Sequence, residues 1–121
     1  MNINIKGTGI ELTDAIRDYV HDKLEAVKKV LRDPEAAFVY VEVGKESQHH
    51  SKGEVFKAEF EVKDGGKSYY SVVVAEDLYA AIDEVKDQIV EEIKSKKDKE
   101  HSRIRRGGRQ IKDFIKGFWK K

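Results

Sequence analysis

The chain has 121 residues, 39% of them charged and 39% hydrophobic, with no cysteine and a formal net charge of +1. That length fits one domain around one core, and the lack of cysteine excludes a disulfide framework, a thiolate metal site and a cysteine nucleophile. The longest apolar runs are only a few residues, far short of the ~20 that cross a bilayer. The opening Met1-Asn2-Ile3-Asn4-Ile5-Lys6 lacks the basic-then-apolar pattern of an export signal, which predicts a cytoplasmic protein. The near-neutral total conceals a split. Residues 94–121 carry 12 Lys/Arg against 3 Asp/Glu, whereas residues 1–93 carry 12 against 20. An acidic body with a basic arm suits contact with a polyanion, either nucleic acid or a membrane surface; the plainer alternative is a solvated tail.

Residues 2–6 alternate, with Ile3 and Ile5 on one side, and predict a short strand ended by Gly7-Thr8-Gly9. Thr13 then opens a helix, with Asp14 in its first turn where negative charge suits the helix dipole. Ile16, Val20, Leu24, Val27 and Leu31 form its apolar stripe. Lys28, Lys29 and Arg32 sit at its cation-favouring end, and Pro34 closes it.

Three strands follow. Val39, Val41 and Val43 alternate within residues 37–43, and Phe56, Ala58, Phe60 and Val62 within 54–63. Asp64-Gly65-Gly66 is a tight-turn signal, and residues 67–75 form the next strand. Either Tyr69, Ser71 and Val73 or Tyr70, Val72 and Val74 face inward. The link at 44–53 is polar.

Asp77 is a suitable N-cap for a second helix, whose stripe is Leu78, Ile82, Val85, Ile89 and Ile93. The pattern runs to about residue 100. At 1.5 Å per residue, ~24 residues span roughly 36 Å, whereas an eight-residue strand spans about 26 Å. The second helix therefore overruns the sheet and carries its lysine-rich end off the body.

The order β-α-β-β-β-α, with one apolar stripe per helix, predicts an α+β fold: a four-stranded sheet with both helices on one face. The crossover through the first helix sets strands one and two parallel. The open face would carry Tyr40, Lys57, Glu59, Glu61 and one tyrosine near position 70. Residues 1–100 form the domain and 101–121 a basic extension. In that extension Arg103, Arg105, Arg106, Gly107, Gly108 and Arg109 read as a flexible hinge. Ile111, Phe114, Ile115, Phe118 and Trp119 then recur at helical spacing among lysines, a short basic amphipathic helix too short to persist alone and so expected to dock. A ribosomal surface or the chain's own body is the expected dock, ahead of a membrane surface.

Glu76-Asp77-Leu78-Tyr79-Ala80-Ala81-Ile82-Asp83 resembles the signature of bacterial ribosome hibernation factors, the hibernation-promoting factors and the related ribosome-associated inhibitor of translation. Asn2-Ile3-Asn4-Ile5-Lys6-Gly7 and Glu11-Leu12-Thr13-Asp14-Ala15-Ile16-Arg17 are similar to that family's first strand and helix start. The resemblance covers residues 1 to about 100 and implies a fold like a double-stranded-RNA-binding domain with an added strand. Nothing matches the second domain of the family's long forms, so the likeness is to the short form. It implies binding to 16S rRNA and ribosomal proteins in the small-subunit decoding channel, steric block of mRNA and tRNA, and preservation of idle ribosomes under stress. Lys23 and Lys29 stand where short members have basic residues on the first helix, and Lys97 and Lys99 match a lysine pair ending the second. Gln88, Glu91 and Ser95 occupy positions commonly basic in the family, and Ala26 replaces a usual lysine. Asp14, Asp18, Asp22 and Glu25 make an acidic stripe along the first helix.

Lys86, Lys94 and Lys97 share one side of the second helix at +8 and +11. The expected rRNA-binding set is Lys23, Lys29, Lys86, Lys94, Lys97, Lys99, Arg103, Arg105, Arg106 and Arg109, since phosphate contact needs cations within reach and arginine adds a bidentate fork. Tyr40 and the exposed tyrosine near 70 could stack on bases, although aromatics on strands more often pack on cross-strand neighbours. His49-His50, in a polar loop without cysteine, make a poor metal site. Gly7-Thr8-Gly9 lacks the spacing and the Lys-Ser/Thr of a phosphate loop. No Ser/His/Asp set has a spacing that argues for catalysis. The expectation is a non-enzyme needing no metal, cofactor, small-molecule substrate or membrane. The rival is a diverged regulatory protein-binding module on the same fold, which the acidic stripe would suit.

Overall fold

The computed structural model describes the backbone of residues 1–46 and 53–119, and side chains of 1–46 and 53–99. The elements are β1 (Asn2–Thr8), α1 (Asp14–Lys28), β2 (Phe38–Glu46), β3 (Val55–Asp64), β4 (Lys67–Ala75) and α2 (Leu78–Trp119). The strands form one sheet in the order β1-β2-β3-β4, with β1 parallel to β2 and the other pairs antiparallel. The α+β class, the element order and the parallel first pair are those expected from the sequence.

Both helix starts follow their caps. The Ile16 amide donates to the Thr13 hydroxyl at 3.2 Å, and the Ala80 amide to the Asp77 carboxylate at 3.1 Å. These bonds satisfy amides that the helix itself leaves without partners. Ile16, Val20, Leu24 and Val27 of α1 and Leu78, Ile82, Val85, Ile89 and Ile93 of α2 are all buried against the sheet. α2 packs along α1 and lies over β3 and β4. Val39, Val41, Val43, Ala58, Phe60 and Val62 fill the layer beneath, and Phe60 and Leu24 are completely enclosed. Burial of each such side chain contributes roughly 1.5–3 kcal/mol.

The inward face of β4, open in the sequence, is Tyr69, Ser71 and Val73: Tyr69 and Val73 are buried, whereas Tyr70, Val72 and Val74 are exposed. The hairpin decides this. Gly65 and Gly66 take φ of 54° and 84°, the positive values of a two-residue turn whose twist matches the strands. That turn pairs Asp64 with Lys67 and Val62 with Tyr69, so Tyr69 joins the buried side of β3.

Several ends differ from the expected ones. β1 continues through Gly7 and Thr8, because β2 pairs with it as far as Gly44. A Cβ on Gly44 would lie 2.0 Å from the Thr8 carbonyl oxygen, so glycine is required where the two strands approach. β2 therefore takes in residues 44–46, which the sequence placed in a link. α1 closes at Lys28, before Leu31, although Leu31 remains buried in the following turn. α2 passes through Gly107 and Gly108 without interruption, in place of the expected hinge and separate short helix. Glycine costs about 1 kcal/mol inside a helix, and the Arg, Gln, Ile and Lys residues around the pair include several good helix formers.

Asp64 is the one buried charged residue among those described. Its carboxylate accepts from the Arg32 amide at 2.7 Å and the Asp33 amide at 3.0 Å. It thereby ties the segment after α1 to the β3–β4 hairpin, a pairing across about thirty residues that a turn motif does not reveal.

Candidate nucleic-acid interface

The lysines expected to share one surface fall into two groups along the paired helices. The first lies at the near half of α2. The Lys23 ammonium reaches Asp83 at 3.0 Å, and Lys86 reaches Asp83 at 3.3 Å and Asp87 at 2.6 Å. Tyr19 and Tyr79 meet edge-to-face with centroids 4.9 Å apart, and Lys23 lies 5.0 Å from the Tyr19 centroid. Hydrogen bonds from Lys23 and then Lys86 hold the Asp83 carboxyl below its ordinary value. The hydrogen bond with Asp83 raises Lys23, and that with Asp87 raises Lys86 against the opposing effect of burial. Two lysines facing two aspartates leave no net charge. This cluster clamps α1 to α2 and offers little to a phosphate.

The second group lies where α1 ends. Lys29, Lys94 and Lys97 line an open groove of about 350 Å³ with Val30 and Asp98. Three cations face one carboxylate. The Lys97 ammonium donates to the Val30 carbonyl at 2.8 Å, binding the turn after α1 to α2. A cation is favoured there, since the carboxy-terminal end of a helix carries partial negative charge. Lys29 and Lys94 have no ion-pair partner among the described residues, and Lys94 is exposed. Two freely presented ammonium groups beside a third held in place suit an anion's oxygens.

Lys99 is exposed one turn further along α2. The side chains of Arg103, Arg105, Arg106 and Arg109 lie outside the described residues, as do those of Ile111, Phe114, Ile115, Phe118 and Trp119; His49 and His50 lie outside them altogether. The expected surface is thus brought together in part, at Lys29, Lys94 and Lys97. Lys23 and Lys86 are committed elsewhere. The i,i+3 spacing of Asp83 and Lys86 was visible in the chain, but Lys23 lies sixty positions away and only helix packing joins it to them.

On the opposite side of the sheet Tyr40 and Tyr70 are both exposed, with Glu61 between them in register. The Tyr70 hydroxyl donates to Glu59 at 2.7 Å, and Lys63 lies 5.9 Å from the Tyr40 centroid. Aromatics set among carboxylates make an unwelcoming platform for a phosphate backbone. Their observed contacts are with cross-strand and same-face neighbours.

Residues 3–101 match the family model for Sigma 54 modulation protein / S30EA ribosomal protein. The chain belongs to this family. A ribosome hibernation promoting factor of Pseudomonas putida is 31% identical over 102 residues, which cover 84% of this chain and 92% of that one. A ribosome hibernation promotion factor of Lactococcus lactis is 29% identical over 97 residues, 80% of this chain but 50% of the relative. The crystal structure of the N-terminal domain of Protein Y from Thermus thermophilus is 30% identical and superposes with a TM-score of 0.66, over 78% of this chain and 98% of that domain. The family match takes in the sheet from Ile3 onward, both lysine groups and the segment around Asp77. Residues 102–121 fall outside it.

Proposed function

We propose that this chain is a ribosome hibernation factor that binds the small subunit through 16S rRNA and, lodged in the decoding channel, sterically excludes mRNA and tRNA. The observation that carries this reading is the lysine-lined groove of Lys29, Lys94 and Lys97 on a body that matches the family throughout. The work asked of the site is electrostatic and positional. Lys29 and Lys94 supply cations to phosphates, Lys97 fixes the spacing of the two helices, and Lys99 with Arg103, Arg105, Arg106 and Arg109 extends the basic line along α2. Named relatives that are hibernation factors support the ribosome as partner. The acidic stripe of α1 is accommodated if α1 meets the ribosome only at its carboxy-terminal end.

Co-sedimentation with purified small subunits across a salt series tests this. Binding should weaken steeply as salt rises, because released counterions dominate affinity for a polyanion. Changing Lys29, Lys94 and Lys99 together to Glu should lower affinity at least tenfold and reduce the log–log salt slope by roughly 2–3, about 0.7–0.9 per lost phosphate contact. The same variant should lose inhibition of cell-free translation. Unchanged binding would move the interface elsewhere on the molecule.

One observation favours the second reading, a protein-binding regulatory module. Asp14, Asp18, Asp22 and Glu25 are all exposed on α1 with no ion pair among the described residues. Recovery of a single protein partner, with no ribosomes, would favour that reading.

A further inference from the structure

Among the described residues β4 forms one edge of the sheet, with β3 on one side of it and no strand on the other. The hairpin determines which of its backbone groups face outward. A two-residue turn makes the residues that flank it, Asp64 and Lys67, a hydrogen-bonded pair, and such pairs alternate along an antiparallel ladder. Lys67, Tyr69, Ser71 and Val73 therefore bond to β3, whereas the amides and carbonyls of Ser68, Tyr70, Val72 and Val74 point away from it. In agreement, the Lys96 ammonium reaches the Ser68 carbonyl from α2 at 3.5 Å. Open strand edges are blunted by charges, prolines or bulges. The interior of β4 has none of these. Its register with β3 is unbroken from Lys67 to Ala75, and its one charge, Lys67, stands at its first position. Tyr69, Tyr70, Val72, Val73 and Val74 are the residue types that suit a strand. The other edge, β1, is shorter and holds Lys6 within it.

We propose that the β4 edge docks on the β4 edge of a second copy, antiparallel about a two-fold axis at Ser71, so that two four-stranded sheets become one. The strand is its own complement. An axis at Ser71 pairs all nine residues of β4. It also sets the outward groups of Tyr70 against those of Val72, and those of Ser68 against those of Val74, as an antiparallel ladder requires. Moving the axis to Tyr70 or Val72 leaves two residues of each strand unpaired. With the axis at Ser71, Tyr70 of each copy lies opposite Val72 of the other, and Tyr69 opposite Val73. Aromatic and β-branched side chains make favourable cross-strand pairs. Lys67 meets Ala75, so no like charges oppose each other along the seam. The basic arms are kept apart as well. α2 starts just after Ala75 and has returned to Ser68 by Lys96, so it leaves the sheet at the hairpin end. The two-fold axis sends the arms of the two copies off opposite ends. The contact is isologous and closes at two copies. A single strand edge is a small interface, so the dimer is a weak one that forms at high protein concentration. The proposal does not rest on the ribosome reading.

The chain has no cysteine, so single introduced cysteines report the register. The axis sets Ser71 of the two copies directly opposite, with Cα atoms about 4.5 Å apart, within reach of a disulfide. Val74 of the two copies would lie about 20 Å apart. With oxidised glutathione at equal protein concentration, Ser71→Cys should form a covalent dimer roughly tenfold faster than Val74→Cys, or more. Sedimentation velocity of the unaltered chain gives a second reading that needs no variant. It is run at about 1 M salt, where a Debye length of about 3 Å suppresses association through the basic arm. The weight-average coefficient should rise with concentration up to about 1 mM and level off at the dimer value. Val72→Pro removes one outward amide and leaves the ladder to β3 intact, since that amide takes no part in it. It should weaken association roughly tenfold. Equal crosslinking of the two cysteine variants overturns the proposal, as does a chain that stays monomeric at about 1 mM. So do growth beyond dimers and association that folded Val72→Pro leaves unchanged.

Discussion

The ammonium of Lys97 lies 2.8 Å from the backbone carbonyl of Val30, so a lysine on α2 closes the end of α1 from sixty-seven positions away. Lys97 is therefore a structural cation as well as a wall of the basic groove. Replacing it with Met keeps the stem and removes the donor, which should cost about 1–2 kcal/mol in urea unfolding. Lys94→Met should leave stability within about 0.5 kcal/mol, as expected of an exposed substitution that breaks no contact, while still weakening ribosome co-sedimentation. Equal stability of the two variants would deny Lys97 its capping role.

Asp64 is expected to matter more than any other charged side chain of the body. Asp64→Ala strands the Arg32 and Asp33 amides at a buried position, and bonds to charged acceptors contribute about 1.5–3 kcal/mol each. A loss near 3 kcal/mol is expected by denaturant titration, below the sum of the two bonds, because the donors lie on exposed residues and their amides regain some water once the carboxylate is gone. Asp64→Asn retains one acceptor oxygen and should recover part of that loss.

Acid should loosen the helix pair through Asp83. Its carboxyl is held below the ordinary value of 3.8 by Lys23 and then Lys86, so the folded state binds its proton less readily than the unfolded chain does. The stabilisation is complete above that ordinary value and is lost as pH falls through the lower folded one. Asp83→Asn should flatten this part of the acid limb of a stability–pH curve. The effect should be small, because the group is well exposed and solvent screens it.

Tyr70 should titrate late. Its hydrogen bond to Glu59, with burial adding to it, pushes the phenol from 10.0 to about 12. The neutral form is favoured in the folded state, so the stabilisation is full below pH 10 and disappears as pH rises towards 12. In a phenolate absorbance titration, Glu59→Gln should remove the late-titrating component that belongs to Tyr70 and bring that phenol back towards its ordinary value.

The chain by itself determined the element order, both helix caps and which side of each helix is buried. Those features follow from local rules: a period of 3.6 or 2, an oxygen-bearing cap and a glycine turn. It also carried, at residues 76–83, the resemblance that pointed to the family, and the sign of its basic arm. Only the tertiary structure decided that Tyr69 rather than Tyr70 faces inward, because that depends on the register across the hairpin. Only packing separated Lys23 and Lys86, neutralised at Asp83, from Lys29, Lys94 and Lys97 around their groove. A lysine's role is set by the carboxylate or carbonyl that comes to lie within about 3 Å of it, and such neighbours are supplied by segments distant in sequence. Spacing along one helix fixes where a charge stands. What stands opposite it is fixed by the fold.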